Sequence, residues 1–498
     1  SICFARETFS CAPAPSPLSG PSFRLPRMTA RPSTFRPAEA SPPEMSRSSI
    51  GTGRLPFAVV LYFLMIALPI HFNLGPVFMT GVRTVLLATI IPLGLRLFSG
   101  QLGRVLAADV LLLTYSVWSI ATLFINSPSQ AIGYGGSYVL EVYGSYLLAR
   151  NYVRTPQQFR AACRGLFALL IFTLPFAIYE TQTGRAPLPT FIAKLPGLLS
   201  YRDYYSSLAG RRLGLERSQV IFSHPIHYGL FCASLISLAL IACKGLINTF
   251  QRYFLGMLVC VGVICSVSSG ALLPMILQFG LMLWGYVFNR IRARWLILCG
   301  LLIFSYLVVD AFSNRSPITV FLSYATLSPD TAYARIHIFE FGMNNVWKHP
   351  YLGIGLNEWE RPWWMPGSMD NFWLLAAVRY GIPGLLLLLT PYLAVIWAAM
   401  RRDFGDSGVI WQLRRAWVFL QVGMVLTLCT VDVWMTALSF VFFLLGAGVW
   451  LVSAQPEVVA EEKATDQPEG AVGRSSARYT RFVGPGRGRT PVSPVQVQ

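Results

Sequence analysis

The residues able to do chemistry gather in two polar stretches. Residues 210–228, GRRLGLERSQVIFSHPIHY, hold Arg211, Arg212 and Arg217 with His224 and His227. Residues 331–384 form the longest polar interruption in an otherwise apolar chain and hold Arg335, His337, His349, Glu358, Glu360, Arg361 and the pair Asp370-Asn371. Arginine offers a planar fork of donors that fits phosphate oxygens. Arg211, Arg212 and Arg217 therefore read as a pyrophosphate-binding cluster, against the plainer reading of solvated loop charge. Asp370 could accept a proton in such a site, or it could cap a short helix over 371–380 and be held there as an anion. His224 and His227 are three apart and would share a helix face. With no acidic or cysteine partner nearby they suit packing or substrate hydrogen bonding better than a metal. The three tryptophans of WERPWWMPG, Trp363 among them, fit a bilayer interface or stacking on sugar rings.

Nothing in the chain asks for a cofactor. The nine cysteines include no CxxC pair, and most sit in apolar runs where a thiol behaves as a small hydrophobe. Gly353-Ile354-Gly355 is too short for a dinucleotide fingerprint.

These stretches must be positioned by a membrane scaffold. Only 12% of the 498 residues are charged and 54% are hydrophobic, where a soluble domain has roughly 25% charge; mean hydropathy is +0.53. The net charge of +18 then reads as arginine gathered on the cytoplasmic face and not as nucleic-acid binding. Apolar runs long enough to cross ~30 Å of hydrocarbon predict an all-α polytopic protein with about twelve helices. They fall near 55–72, 80–98, 105–125, 131–150, 161–181, 218–243, 252–267, 269–289, 294–313, 382–400, 414–431 and 433–453. Among short connections, fifteen Lys and Arg residues fall on one side and only Arg83 on the other. That asymmetry makes the first side cytoplasmic, with both termini there and the long loops 182–217 and 314–381 outside. Residues 1–54, rich in Pro, Ser and Arg, and the tail 454–498 read as disordered cytoplasmic extensions. Met45 reads as the native start.

The pattern resembles the O-antigen ligase and polysaccharide polymerase proteins of the bacterial envelope. That family carries His followed by Asn, Ser or Gln, then nine residues, then Gly-x-x-Gly. Here Asp370-Asn371, nine residues from Phe372 to Tyr380, and Gly381-Ile-Pro-Gly384 keep the spacing with Asp in place of His. Arg335, Trp347, His349-Pro350, Gly353-Ile-Gly355 and the SHPIHYG stretch also match. The resemblance covers roughly 210–400 by motif and the rest by topology. It implies a glycosyltransferase of the inner membrane, working on the periplasmic face without metal or nucleotide. The donor would be a polyprenyl-pyrophosphate-linked glycan and the acceptor a glycan or lipid-linked glycan. Carried over by position, Arg211 and Arg335 become the pyrophosphate clamps with Arg217 as a rival, and Asp370 the base. His224, His349, Asn371 and Trp363 become possible substrate contacts. The alternatives are a flippase or transporter of lipid-linked glycan, or a non-catalytic polysaccharide-assembly protein. Transporters place ionisable groups near the midplane, where Glu141 is the one clear carboxylate.

Overall fold

The computed structural model describes residues 54–75, 77–199, 211–314, 317, 320, 329–405 and 408–454. The expected disordered extensions, Met45 included, fall outside these residues but for Arg54 and Ala454. The described chain is almost wholly helical. Helix α1 (Phe57–Ala67) leads into an antiparallel hairpin, β1 (His71–Leu74) and β2 (Val77–Thr80), with His71 opposite Thr80. Next come α2 (Gly81–Phe98), α3 (Ala107–Asn126) and a helical stretch α4 over 128–152 that widens at Ala131–Gly135 and Leu140–Gly144. They are followed by α5 (Pro156–Thr183), the short α6 (Pro187–Ile192), α7 (Pro225–Ala242), α8 (Thr249–Cys265), α9 (Ser269–Val287) and α10 (Arg294–Phe312). The last four are α11 (Pro329–Lys348), α12 (Phe372–Arg401), α13 (Val409–Leu428) and α14 (Thr436–Ser453).

Every segment expected to span is helical, but eight helices among the described residues are long and apolar enough to cross a membrane: α2, α3, α5, α7, α9, α10, α12 and α14. Helices α1 and α8 are apolar but shorter. The other two depart for physical reasons. Helix α4 is Gly-rich and interrupted by its wide turns, and α13 carries Gln412, Arg414 and Arg415 in its first two turns.

Two buried polar pairs join distant helices in the interior. Tyr62 Oη meets Ser439 Oγ at 2.9 Å, and Trp417 Nε1 donates to Leu444 O at 2.8 Å. A buried polar group costs free energy unless it finds a partner, so these bonds fix how α14 seats against α1 and α13.

Helix α12 is broken where the sequence places Gly381-Ile-Pro-Gly384. Gly381 has φ 74° and ψ 177°, a backbone region that disfavours side chains. A Cβ there would lie 2.1 Å from Tyr351 O. Pro383 has no N–H, so the Arg379 carbonyl loses its usual partner. The Val378 carbonyl loses its own because Ile382 N donates to Pro350 O instead, at 2.8 Å. Both orphan carbonyls are taken by the strap at 350–356: Ile354 N donates to Val378 O at 2.9 Å and Gly355 N to Arg379 O at 3.0 Å. The strap is tied in turn to the end of α3, where Leu356 N donates to Ser127 Oγ and Asn126 Nδ2 to Leu352 O. Residues 372–380, expected to lie on the outer surface as a separate helix, are instead mostly buried and clamped from two sides.

Candidate functional site

Two cavities open on either side of the first turns of α12. The smaller, of about 580 Å³, brings together Arg212, Arg217, His224, Arg335, Arg361 and Asp370. The larger, of about 920 Å³, is lined by Arg83, Tyr134, Tyr138, Glu141, Phe372 and Tyr380 among others. Leu375, Arg379, Asp432 and Trp434 face both.

The smaller cavity is assembled from four distant segments. Arg335 lies on α11 and is buried. Arg212 and Arg217 lie before α7, and Asp370 lies just before α12. Ser268 and Ser269 bring the N-terminal turn of α9 to the wall, where unpaired N–H groups favour an anion. Burial lowers the pKa of Arg335, and the Asp370 carboxylate acts against that shift. Burial pushes Asp370 up, opposed by Arg335, Arg217 and Arg212 in that order. Burial also brings Arg217 down to about 10, with Arg212 adding repulsion. His224 falls to about 3 through burial first and then His227, Arg217 and Arg212, so its ring is neutral. Its Nδ1 accepts from Ile226 N at 3.2 Å and caps α7.

The outer wall is held by its own small core, in which Ile338, Val346, Trp359, Met369 and Leu374 pack together. Asn345 works like a strand partner for the loop: its Nδ2 donates to Glu360 O at 3.0 Å and its Oδ1 accepts from Glu360 N at 2.9 Å. Arg361 is fixed through Met365 O and Trp359 O.

Several expected site residues stand elsewhere. Arg211 turns outward and pairs with Glu216 at 2.7 Å, with its side chain 73% exposed; its neighbour Arg212 enters the cavity. Asp370 caps nothing, because Asn371 Oδ1 accepts from Leu374 N at 3.0 Å and is the N-cap of α12. His349 follows the last turn of α11 as an exposed residue, and Trp363 is 96% exposed; neither lines a cavity. His337 lies within 5.4 Å of the Trp364 ring, away from Arg335's cavity, as its different helix face requires.

Sequence reasoning missed Asp432, Arg379 and Trp434. Asp432 lies in the turn between α13 and α14. Its Oδ1 accepts from Val433 N at 2.9 Å, and burial raises its pKa to about 7 against the pull of Arg379. The Phe372 N–H donates to Val431 O at 3.2 Å, which ties this turn to the start of α12. Trp434 stacks edge-on against His227 at 4.1 Å. Arg379 donates to Tyr134 Oη at 2.6 Å, its guanidinium 5.5 Å from that ring. A signal for Arg379 existed: Phe372, Leu375, Ala376 and Arg379 recur at helical spacing along one face. For Asp432 there was only a short VDVW turn between two apolar runs.

Residues 254–389 match the family model described as O-Antigen ligase. Over that span the chain is similar to O-antigen ligases. The match runs from α8 through the strap into α12, and so takes in Arg335, Asp370 and the Gly381 break. No curated protein matches the chain. An O-antigen ligase-like domain set among membrane-length helices supports a membrane role in processing glycans.

Proposed function

We propose that the protein transfers or polymerises glycan from a polyprenyl-pyrophosphate-linked donor at the exterior membrane face. The observation that carries this is the convergence of Arg212, Arg217 and Arg335 with Asp370 and Asp432 around one cavity. The pyrophosphate is already a good leaving group. The protein's task is to neutralise its developing charge and orient the acceptor. In this reading the three arginines and the α9 N-terminus hold the pyrophosphate. Asp370 stays among the arginines and sets their positions. Asp432, poised near neutrality, takes the proton of the attacking hydroxyl. The two carboxylates act on one another, so they titrate as a pair. The base role expected of Asp370 thus passes to Asp432.

The glycan itself fits the larger cavity. Its charges cancel locally: Arg83 Nε meets Glu141 Oε1 at 2.7 Å, and Arg379 faces Asp432. What remains is neutral: tyrosine, tryptophan and phenylalanine rings and aliphatic side chains such as Leu199 and Leu438, with Ser129, Gln130 and Ser137 between, a lining that can take sugar rings and hydroxyls. The basic helix ends lie at the opposite end of the helices from this site, which supports its exterior placement.

Arg83 and Glu141 favour the transporter reading, since an intramembrane ion pair often marks a pathway. The two readings separate in one experiment. Arg335→Ala should abolish surface polysaccharide while the protein level holds and lipid-linked donor accumulates on the exterior face. Donor trapped on the cytoplasmic face would support transport instead. A strain lacking the protein distinguishes the two transferase reactions: single units left on the acceptor indicate a polymerase, and long lipid-linked chains indicate a ligase.

A further inference from the structure

At the other end of α13, about 20 Å along the helix from the Asp432 turn at 1.5 Å per residue, lies a second group of arginines. Arg415 is wedged between aromatic rings, its guanidinium carbon 4.5 Å from the Trp411 ring and 5.5 Å from that of Phe419. It also lies against α9, where a Cβ on Gly285 would come within 2.9 Å of its Nη2. The charged groups that act on it are Arg294 and Arg414, both of its own sign. Among the described residues no carboxylate or carbonyl takes an Arg415 N–H, and its Nε is buried without a partner. Arg294 sits 5.8 Å over Trp295 and spends one N–H on Asn289 O. Trp295 in turn packs on Phe419 at 5.6 Å.

Helix α10 starts at this cluster. Trp284 Nε1 donates to Arg294 O at 2.9 Å, and Trp295 joins the aromatic contact. Beyond that first turn the helix leaves the bundle. None of its residues is buried, and Leu296, Leu302, Ile303, Phe304 and Leu307 are all exposed. Two like-charged guanidinium forks with free donors, flanked by tryptophans, therefore stand at the foot of an uncovered apolar helix about as long as one leaflet pair is thick.

We propose that this is a binding site for one anionic phospholipid. The phosphodiester would lie between Arg294 and Arg415, and the acyl chains along the apolar side of α10. Forked guanidinium donors match phosphate oxygens, tryptophans suit the headgroup level, and basic pockets between membrane helices hold acidic headgroups. The ligand supplies the negative charge that relieves Arg294–Arg415 repulsion, and its chains give α10 a neighbour.

The test uses the purified full chain in neutral detergent, titrated with dioleoylphosphatidylglycerol and separately with dioleoylphosphatidylcholine, with bound lipid counted by native mass spectrometry. One phosphatidylglycerol should be retained in preference to phosphatidylcholine. The double variant Arg294→Gln/Arg415→Gln should weaken it roughly tenfold or more, whereas Arg96→Gln/Arg104→Gln, at exposed arginines elsewhere on the basic end, should not. Arg415→Lys keeps the charge but not the fork, and should give an intermediate loss. Equal loss in the two double variants would mean diffuse surface charge and overturn the site. So would inorganic phosphate that binds as tightly as the lipid. A chain ended after Ala454 that binds the lipid when the full chain does not would assign the cluster to the acidic stretch 457–469 of the tail, and would equally overturn it.

Discussion

The two cavities share a wall and differ in almost everything else. The smaller gathers Arg212, Arg217, Arg335, Arg361 and Arg379 around Asp370 and Asp432, with a helix N-terminus in its wall. The larger has more room, pairs Arg83 with Glu141 at 2.7 Å, sets Arg379 against Asp432, and offers rings and hydroxyls. On the proposed reading, the excess of cations in the smaller cavity serves developing negative charge. A roomy neutral surface is a site for holding a partner in place. Side by side, with Asp432 and Arg379 facing both, they would on the proposed reading divide a group transfer into stabilising the leaving group and presenting the acceptor.

Four substitutions would break or sharpen this division. Asp432→Asn should have the largest effect, a loss of about 10²–10⁴ in transfer rate. The base works deprotonated, so wild-type activity should fall as pH drops through about 7 and level off above it; the variant should lose that limb. A wild-type rate flat from pH 5 to 8 would remove Asp432 from the base role. Arg335→Ala should cost about 10²–10³ in rate by removing one charged donor, with little change in acceptor affinity. Tyr134→Phe, on the other side of the wall, should show the reverse: it frees Arg379 of one hydrogen bond and should raise the acceptor KM severalfold with kcat nearly unchanged. Should Tyr134→Phe and Arg335→Ala affect the same parameter, the cavities are not separate in function. Arg211→Ala should stay within about twofold of wild type, because an exposed ion pair contributes little. A large loss there would return it to the site.

The helical scaffold was legible because hydrophobic run length is a strong signal in lipid. So was the Gly381–Gly384 break, since proline and glycine act locally. Arg335 and Asp370 were singled out by resemblance to the family's motif, and the fold brings them to one cavity. What failed was choice between neighbours. Nothing in RRLGL says that Arg211 turns to Glu216 while Arg212 turns inward, and nothing in Asp370-Asn371 says which of two capping residues caps. Those outcomes rest on tertiary contacts between segments far apart in the chain. Asp432 was missed for the same reason: its significance comes from burial beside Arg379, which a turn of four residues does not announce. The hairpin at 71–80 was not foreseen: the expected helices ended at 72 and resumed at 80, and strands of four residues are too short to show an alternating pattern.

A fifth substitution acts on both cavities at once. Gly381→Ala places a methyl group against the Tyr351 carbonyl and should cost about 3 kcal/mol or more, seen as a lowered midpoint of thermal unfolding. The same break has a mechanical consequence. Membrane helices tilt to match the thickness of the bilayer around them, and a rigid α12 would transmit every such tilt to Asp370 and Arg379. Here the apolar part from Ile382 onward meets the first turns at a joint, and those first turns are fastened to the strap, itself tied to α3. Bilayers of different chain length should change the angle at that joint and leave the distance between the two carboxylates untouched.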